Sequence, residues 1–322
     1  MSKIEIGIIG AGGISSSVHL PLLTCIENVT IKFIADTFDP MDLAKVYNTK
    51  SIQISDVSSL PNCDIVVLAT PVGAREEYIR EFSKRDTAIF TEKPFATTLE
   101  SHNQFLQMSN KISCNYMRIF YNSTRQIKNI ISSGLFGSLK KITITEGGII
   151  GKTNRGKDSY QADPKLSGGG ILMESGCHTF SQLSFIFNDI SVRQAKIVWQ
   201  DNFDVDAQVI FDVLDNSTSI DYHITMLKPV ESISRFFFEH AIVSFNHLVP
   251  NSIFNISDYH NKYQFTLSQC TEFANTFAQA YYLKWKSFFD NLSSNKTLDT
   301  KFETSLMTTQ MTTDIFQKAN PT

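Results

Sequence analysis

Glu174 and His178 follow the glycine run Gly168-Gly169-Gly170, and they are the side chains in this chain best suited to move a proton. If Ile171 begins a helix, the two stand at i and i+4 and share one face, where a carboxylate can orient and charge-tune an imidazole. An imidazole with an ordinary pKa of about 6.5 takes or gives a proton near neutral pH. The glycines let the backbone approach a ligand or fold tightly over a neighbour. Earlier in the chain, Thr91-Glu92-Lys93-Pro94 closes an apolar run. A partly desolvated lysine there can hydrogen-bond a substrate hydroxyl and polarise it. The plain alternatives are a solvated lysine before a turn proline and a structural helical histidine. Cys177 adjoins His178, but neighbouring helical residues point about 100° apart, which argues against a nucleophile and its base.

A third constellation lies at the N-terminus. Gly10-Ala11-Gly12-Gly13-Ile14-Ser15 follows an apolar run and reads as G-x-G-x-x-S, close to the dinucleotide fingerprint. The first two glycines allow a sharp turn and a close approach of backbone to a pyrophosphate, whose charge a helix N-terminus favours. Ser15 is small enough for the third position. Asp36 ends the next apolar run, where a carboxylate can accept hydrogen bonds from adenosine ribose hydroxyls. It would repel a 2′-phosphate, and Thr37 offers no compensating charge, so NAD is expected and NADP is less favoured. A turn aspartate in some other α/β protein is the plain alternative.

These residues need a scaffold that brings strand ends together. Ile4 to Ile9, Thr30 to Ala35, Asp64 to Ala69, Ala88 to Phe90 and Ile112 to Cys114 are continuously apolar, which suits parallel strands covered on both faces. Between them, Asp39-Pro40 offers an N-cap and an N1 proline, and Thr97-Thr98-Leu99-Glu100 fits a capping box. The β-α-β-α order implies a doubly wound parallel sheet, a Rossmann domain over residues 1–116. After it, a helix near Ser123 to Ser133 stops at Gly134, a strand runs from Leu139 to Glu146, and Gly-rich sequence extends from Gly147 to Gly170. Ile171 to Phe187 reads as helix. Val192 to about Leu267 alternates with period two around a turn at Asp215-Asn216, giving a largely antiparallel open sheet in an α+β domain over 117–322. Phe273, Phe277, Tyr281, Trp285, Phe288 and Leu292 form a helical stripe expected to serve core or subunit contact. A last helix is expected over Glu303 to Lys318.

Bulk properties exclude several classes. The 322 residues suffice for two domains with real cores. Lys plus Arg is 29 and Asp plus Glu is 32, a net charge of −3, so nucleic-acid binding by bulk charge is not expected. Cys25, Cys63, Cys114, Cys177 and Cys270 contain no CxxC pair and read as thiols of a reducing compartment, with no metal site implied. No signal peptide or membrane span is evident, and the expected location is cytoplasmic with no membrane partner.

On these residues the chain resembles the glucose-fructose oxidoreductase, inositol dehydrogenase and rhizopine-catabolism family. The motifs that carry the resemblance are the Gly10–Ser15 turn, Ala69-Thr70-Pro71, Glu92-Lys93-Pro94, Ser133-Gly134-Leu135-Phe136-Gly137 and the GGG…GxH run ending at His178. The resemblance implies NAD(P)-linked hydride transfer at a carbinol or ketone carbon of a sugar, cyclitol or nucleotide-linked sugar. It also implies self-association through the open sheet, as a dimer or tetramer. Lys93, Glu174 and His178 would be the catalytic group. Gly10, Gly12, Gly13, Ile14, Ser15, Asp36, Thr70, Pro71, Glu92 and Lys93 would hold the cofactor, and Lys93, Asn115, Arg118, Glu174 and His178 would line the substrate site. Three positions depart from the family pattern: Glu174 stands for the usual Asp, Ser181 for an Asp, and Arg75 for a His. A catalytically silent cofactor- or sugar-binding sensor on the same fold therefore stays open as the alternative. Lys152, Arg155 and Lys157 in the Gly-rich loop could meet an anionic substrate group or simply be solvated.

Overall fold

The computed structural model describes residues 3–148, 159–214, 218–258, 261–266, 272–294 and 300–319. The described residues of Met1–Asn115 and Trp285–Thr304 form one compact unit, and those of Tyr116–Lys284 and Ser305–Thr322 form the other. The sequence placed the whole of 117–322 in the second domain. Trp285–Thr304 instead groups with the first unit, because Trp285 and Phe288 bury into its core.

The first unit is a six-stranded parallel sheet. Its strands are β1 (Ile4–Ile9), β2 (Val29–Asp36), β3 (Lys50–Gln53), β4 (Ile65–Leu68), β5 (Ala88–Thr91) and β6 (Ile112–Cys114). Their order is β3-β2-β1-β4-β5-β6, so the strand order reverses between β1 and β4, and sheets of this kind bind ligands at that point, beyond the carboxyl ends of the strands. The helices are α1 (Leu20–Leu23), α2 (Met41–Val46), α3 (Arg75–Lys84) and α4 (Leu99–Met108). Apolar residues point to both faces, and Ile6, Ile8, Ile34, Val67 and Phe90 pack with Trp285 and Phe288. The Phe90 and Trp285 rings stack with centroids 3.9 Å apart.

Three local expectations shift. β3 escaped the sequence reading because it is a short edge strand with no fully buried residue. Asp39 does not cap α2: Pro40 occupies the N-cap position, and Asp39 Oδ1 accepts a hydrogen bond from Ser51 Oγ at 2.7 Å. The capping box is one residue later than expected, with Thr98 as N-cap and Ser101 as its partner. A serine hydroxyl can serve where glutamate is the commoner choice.

The second unit is an eight-stranded sheet faced by helices. In chain order it contains α5 (Asn122–Ser133), β7 (Leu139–Gly147), α6 (Pro164–Ser167), α7 (Cys177–Ile186), β8 (Ile190–Gln200), β9 (Phe203–Val213), β10 (Thr218–Thr225), β11 (Ile233–Phe238), β12 (Ile242–Phe245), β13 (Ile253–Ser257) and β14 (Lys262–Thr266). Then come α8 (Phe277–Ser293), α9 (Thr300–Glu303) and α10 (Leu306–Ala319); α9 and the end of α8 belong to the first unit. The strand order is β14-β13-β12-β11-β7-β10-β9-β8. Among the described strands only β7 and β10 pair parallel, so the sheet is largely antiparallel as the alternation implied. Its core brings Ile142, Ile144, Val209, Phe211 and Ile220 against Phe180 and Leu183 of α7 and Met311 and Ile315 of α10. The stripe on α8 is divided: Phe277 is exposed, Tyr281 packs beside Met117 and Tyr121, and Trp285 and Phe288 enter the first core. Asp215-Asn216, Lys152, Arg155 and Lys157 lie outside the described residues. No described helix is long and apolar enough to cross a membrane.

Candidate functional site

The Gly-rich turn follows β1 directly. Gly10 has φ +96°, and a Cβ there would lie 2.6 Å from the Ala69 carbonyl oxygen, so glycine is required for both conformation and space. Ser15 is fully buried, and its Oγ donates to the Gly10 carbonyl at 2.5 Å. The hydroxyl thus closes the turn from the position where the fingerprint has glycine. Asp36 Oδ2 accepts the Ala11 N–H at 2.6 Å, and Oδ1 accepts the Thr37 N–H at 2.6 Å. A Cβ on Gly12 or Gly13 would meet nothing within 4 Å. Ile14 leads into a π-helical turn, Ser15–His19.

Across the same strand ends, Glu92-Lys93-Pro94 is fixed by two sets of contacts. Arg75, which is 2% exposed, donates to the Thr70 carbonyl at 2.9 Å and to the carbonyls of Glu92 and Pro94. It ties the Thr70-Pro71 turn to the lysine turn, and this is the physical content of the Arg75 departure. Beneath it, Glu92 Oε1 accepts from His19 Nε2 at 2.8 Å and from Asn115 Nδ2 at 2.7 Å. Burial alone would raise the Glu92 carboxyl; the His19 and Asn115 hydrogen bonds outweigh it and hold the group below its usual value. Lys93 itself is half-buried.

Three buried polar atoms at these strand ends have no hydrogen-bond partner among the described residues: Thr70 Oγ1 after β4, Thr91 Oγ1 at the end of β5, and Asn115 Oδ1 after β6. Buried polar groups are nearly always paired, so such a row is what a site for a polar ligand leaves behind. Together with the open space over Gly12 and Gly13, it fits a dinucleotide. The sequence reading missed His19 and gave Arg75 no structural part. A buried histidine and arginine leave no periodic signal until their partners are placed.

In the second unit, Leu172–Gly176 is again a π-helical turn, running into α7 at Cys177. Glu174 and His178 therefore lie on one continuous helical segment, as expected. Glu174 Oε1 accepts from Gln161 Nε2 at 3.2 Å, and His178 is 8% exposed. The glycine run serves packing at Gly170: a Cβ there would sit 2.0 Å from the Asp204 carbonyl oxygen. Asp204, fully buried, accepts from the Gly170 N–H and from the Leu172 N–H at 2.7 Å, which fixes the start of the segment that carries His178. Ser181 Oγ donates to the His178 carbonyl at 2.7 Å, and Cys177 Sγ donates to the Met173 carbonyl at 3.0 Å. Both side chains thus have a local structural use.

Arg118 lies on a 3₁₀ turn, Met117–Phe120. Its Nε and Nη1 are buried without a hydrogen-bond partner among the described residues. Glu146 is held by Tyr222 and by His247 Nε2 at 3.3 Å. Burial would raise this carboxyl, but the His247 bond, the Arg118 charge and Tyr222 keep it low.

A parallel sheet of this order, with a Gly-rich turn after its first strand and an acidic residue ending its second, is a dinucleotide-binding Rossmann domain. The profile of an oxidoreductase family with an NAD-binding Rossmann fold matches residues 4–120, and that of the GFO/IDH/MocA C-terminal domain matches residues 124–230. The chain belongs to the GFO/IDH/MocA oxidoreductase family. It is 24% identical over 192 residues to an inositol 2-dehydrogenase of Rhizobium meliloti (strain 1021), covering 58% of this chain and 56% of the relative. It is 24% identical over 196 residues to the rhizopine catabolism protein MocA of Rhizobium meliloti, covering 58% of each. The chain thus spans little more than half the length of these relatives. Among solved structures, KijD10, a 3-ketoreductase from Actinomadura kijaniata in complex with NADP and TDP-benzene, superposes with a TM-score of 0.85 at 14% identity over 98% of both chains. A levoglucosan dehydrogenase in complex with NADH and L-sorbose gives 0.83 at 13% identity, over 99% of this chain and 97% of that one. The fold thus occurs with either dinucleotide.

Proposed function

We propose that this chain is an NAD(P)-dependent oxidoreductase acting at a carbinol or ketone carbon of a sugar, cyclitol or nucleotide-linked sugar. The observation that carries this is the row of unpartnered Thr70, Thr91 and Asn115 atoms beside Lys93 and the open Gly12-Gly13 backbone. A nicotinamide dinucleotide, when bound, supplies the hydride acceptor or donor. Lys93 donates a hydrogen bond to the carbinol oxygen and stabilises the charge that grows there. His178 takes the hydroxyl proton and returns it in the reverse direction, and Glu174 orients the imidazole. Arg118 offers two free donor directions to a substrate oxygen. Sugar or cyclitol redox is in keeping with what the relatives' names say of them.

Asp36 supports a preference for NAD, since its carboxylate would face a 2′-phosphate with Thr37 alone beside it. Self-association as a dimer or tetramer is part of the same reading. On the face of the sheet turned away from its core, the outer strands β12 and β13 expose Ile242 and Ile253, apolar side chains that a second copy could cover.

The test is a thermal shift panel of NAD, NADP, free sugars, inositols and nucleotide sugars, because ligands that bind the native state raise its stability. Turnover is then followed at the nicotinamide absorbance band. Shifts with a dinucleotide and turnover on one carbinol are expected. A chain stabilised by neither dinucleotide would overturn the reading.

A further inference from the structure

His19 is fully buried and closes the π-helical turn Ser15–His19, a geometry that re-aims a side chain within a helix. Here it brings His19 Nε2 within 2.8 Å of Glu92 Oε1, while Trp285 Nε1–H donates to His19 Nδ1 at 3.2 Å. An indole N–H only donates, so Nδ1 is the acceptor and the ring is the neutral tautomer with its proton on Nε2. That proton is directed at Glu92. The Lys93 N–H donates to the other carboxylate oxygen at 3.2 Å.

An ionised carboxylate accepts and cannot donate. Asn115 must therefore meet Glu92 through its NH₂ group, which it does at 2.7 Å. Its carbonyl oxygen is then turned away from Glu92, on a residue only 1% exposed, and has no partner among the described residues.

We propose that the Glu92 carboxylate, held in place by His19 and through it by Trp285, fixes the polarity of the Asn115 amide, so that the end of β6 presents an acceptor selective for a neutral N–H or O–H donor. The inference rests on the dinucleotide reading above. The donor is the carboxamide N–H of nicotinamide or a hydroxyl of the carbinol substrate, which share this chemistry. Asn115 makes the contact, and His19 acts as a positioning residue. His19 Nε2 and Asn115 Nδ2 donate to the same Glu92 oxygen, so a glutamine at 92 keeps its amide oxygen on both while His19 is present. With His19→Phe as well, it can turn that oxygen to the Lys93 N–H and its NH₂ to Asn115, which then turns over and offers NH₂ to the ligand.

The experiment compares NAD with its acetylpyridine analogue, in which a methyl ketone replaces the carboxamide, by isothermal titration of the whole protein. It adds KM for the substrate found in the thermal shift panel. The variants are Asn115→Leu, Glu92→Gln, and Glu92→Gln combined with His19→Phe, with melting curves to establish folding; Asn115→Leu tests the acceptor if the combined variant does not fold. A buried acceptor without its donor weakens an equilibrium by about tenfold. If the donor is the carboxamide, wild type prefers NAD over the analogue by about that factor, Asn115→Leu and the combined variant bring the ratio to within twofold, and Glu92→Gln alone keeps it. If it is a substrate hydroxyl, NAD affinity is unchanged and KM rises about tenfold in Asn115→Leu and the combined variant but not in Glu92→Gln alone. A folded Asn115→Leu or combined variant that matches wild type in both measurements overturns the inference. Wild type that binds neither nucleotide overturns the dinucleotide reading itself, and shows it before any variant is compared.

Discussion

Replacing Gly12 by alanine separates ligand binding from folding. A Cβ at Gly12 meets no heavy atom within 4 Å, and Gly12 is not among the positive-φ glycines, so alanine fits without strain. Restricting the unfolded chain at such a site stabilises a protein by about 0.4–1 kcal/mol, and the melting temperature should hold or rise by a few degrees. The same open space is where a pyrophosphate approaches the backbone N–H groups of the turn. A methyl group there holds the anion away. Each hydrogen bond to a charged group contributes about 1.5–3 kcal/mol, so losing one weakens NADH binding by roughly 10- to 150-fold. Calorimetric titration with NADH and a melting curve on the same sample read both effects. Gly10→Ala is the contrast, because its Cβ would lie 2.6 Å from the Ala69 carbonyl oxygen at φ +96°, and it should lower the melting temperature. NADH affinity of Gly12→Ala within twofold of wild type would refute the reasoning, as would a melting temperature several degrees lower.

His178→Ala and Lys93→Ala should each lower turnover by roughly 10²- to 10⁴-fold, with NADH affinity nearly unchanged in His178→Ala; steady-state absorbance and titration check both. Gly170→Ala should destabilise the chain by about 3 kcal/mol, because the obstructing atom is the Asp204 backbone oxygen at 2.0 Å; urea unfolding against wild type measures this, and an unchanged midpoint would count against the packing. Burial pushes His102 down to about 4, so between that value and the ordinary 6.5 the unfolded chain binds the extra proton. Stability is then fully present above pH 6.5 and falls by about 3 kcal/mol as pH drops to 4. His102→Leu should flatten that part of the pH–stability curve, and an unaltered slope would dismiss the assignment.

Periodicity made most of the scaffold legible. The parallel strands are apolar on both faces, and the strands of the second sheet alternate, as at Ala207, Val209 and Phe211, so each kind leaves its own pattern in the chain. β3 left none, since three of the four residues Lys50 to Gln53 are polar and the strand lies at an edge. Of the candidate site, Gly10, Asp36, Lys93 and His178 could be named because backbone conformation and charge restrict those positions to few residue types. The capping details of α2 and α4 were missed by a residue, because several neighbouring Thr, Ser and Asp side chains could each have served and local sequence does not rank them.

What the chain determined by itself was therefore the class of the fold, the Gly-rich turn and the residue types available for proton and hydride chemistry. Only tertiary structure decided how each was used. Gly170 is glycine because the Asp204 backbone crosses it, Ser15 closes its own turn, and Arg75 binds carbonyls that are far from it in sequence. Trp285 joins the first unit although it lies deep in the second half of the chain. Its indole meets His19, which in turn meets Glu92, three residues far apart in the sequence. These assignments depend on hydrogen-bond partners brought together by the sheet, and sequence spacing carries no information about a donor and acceptor whose approach is set by neighbouring strands.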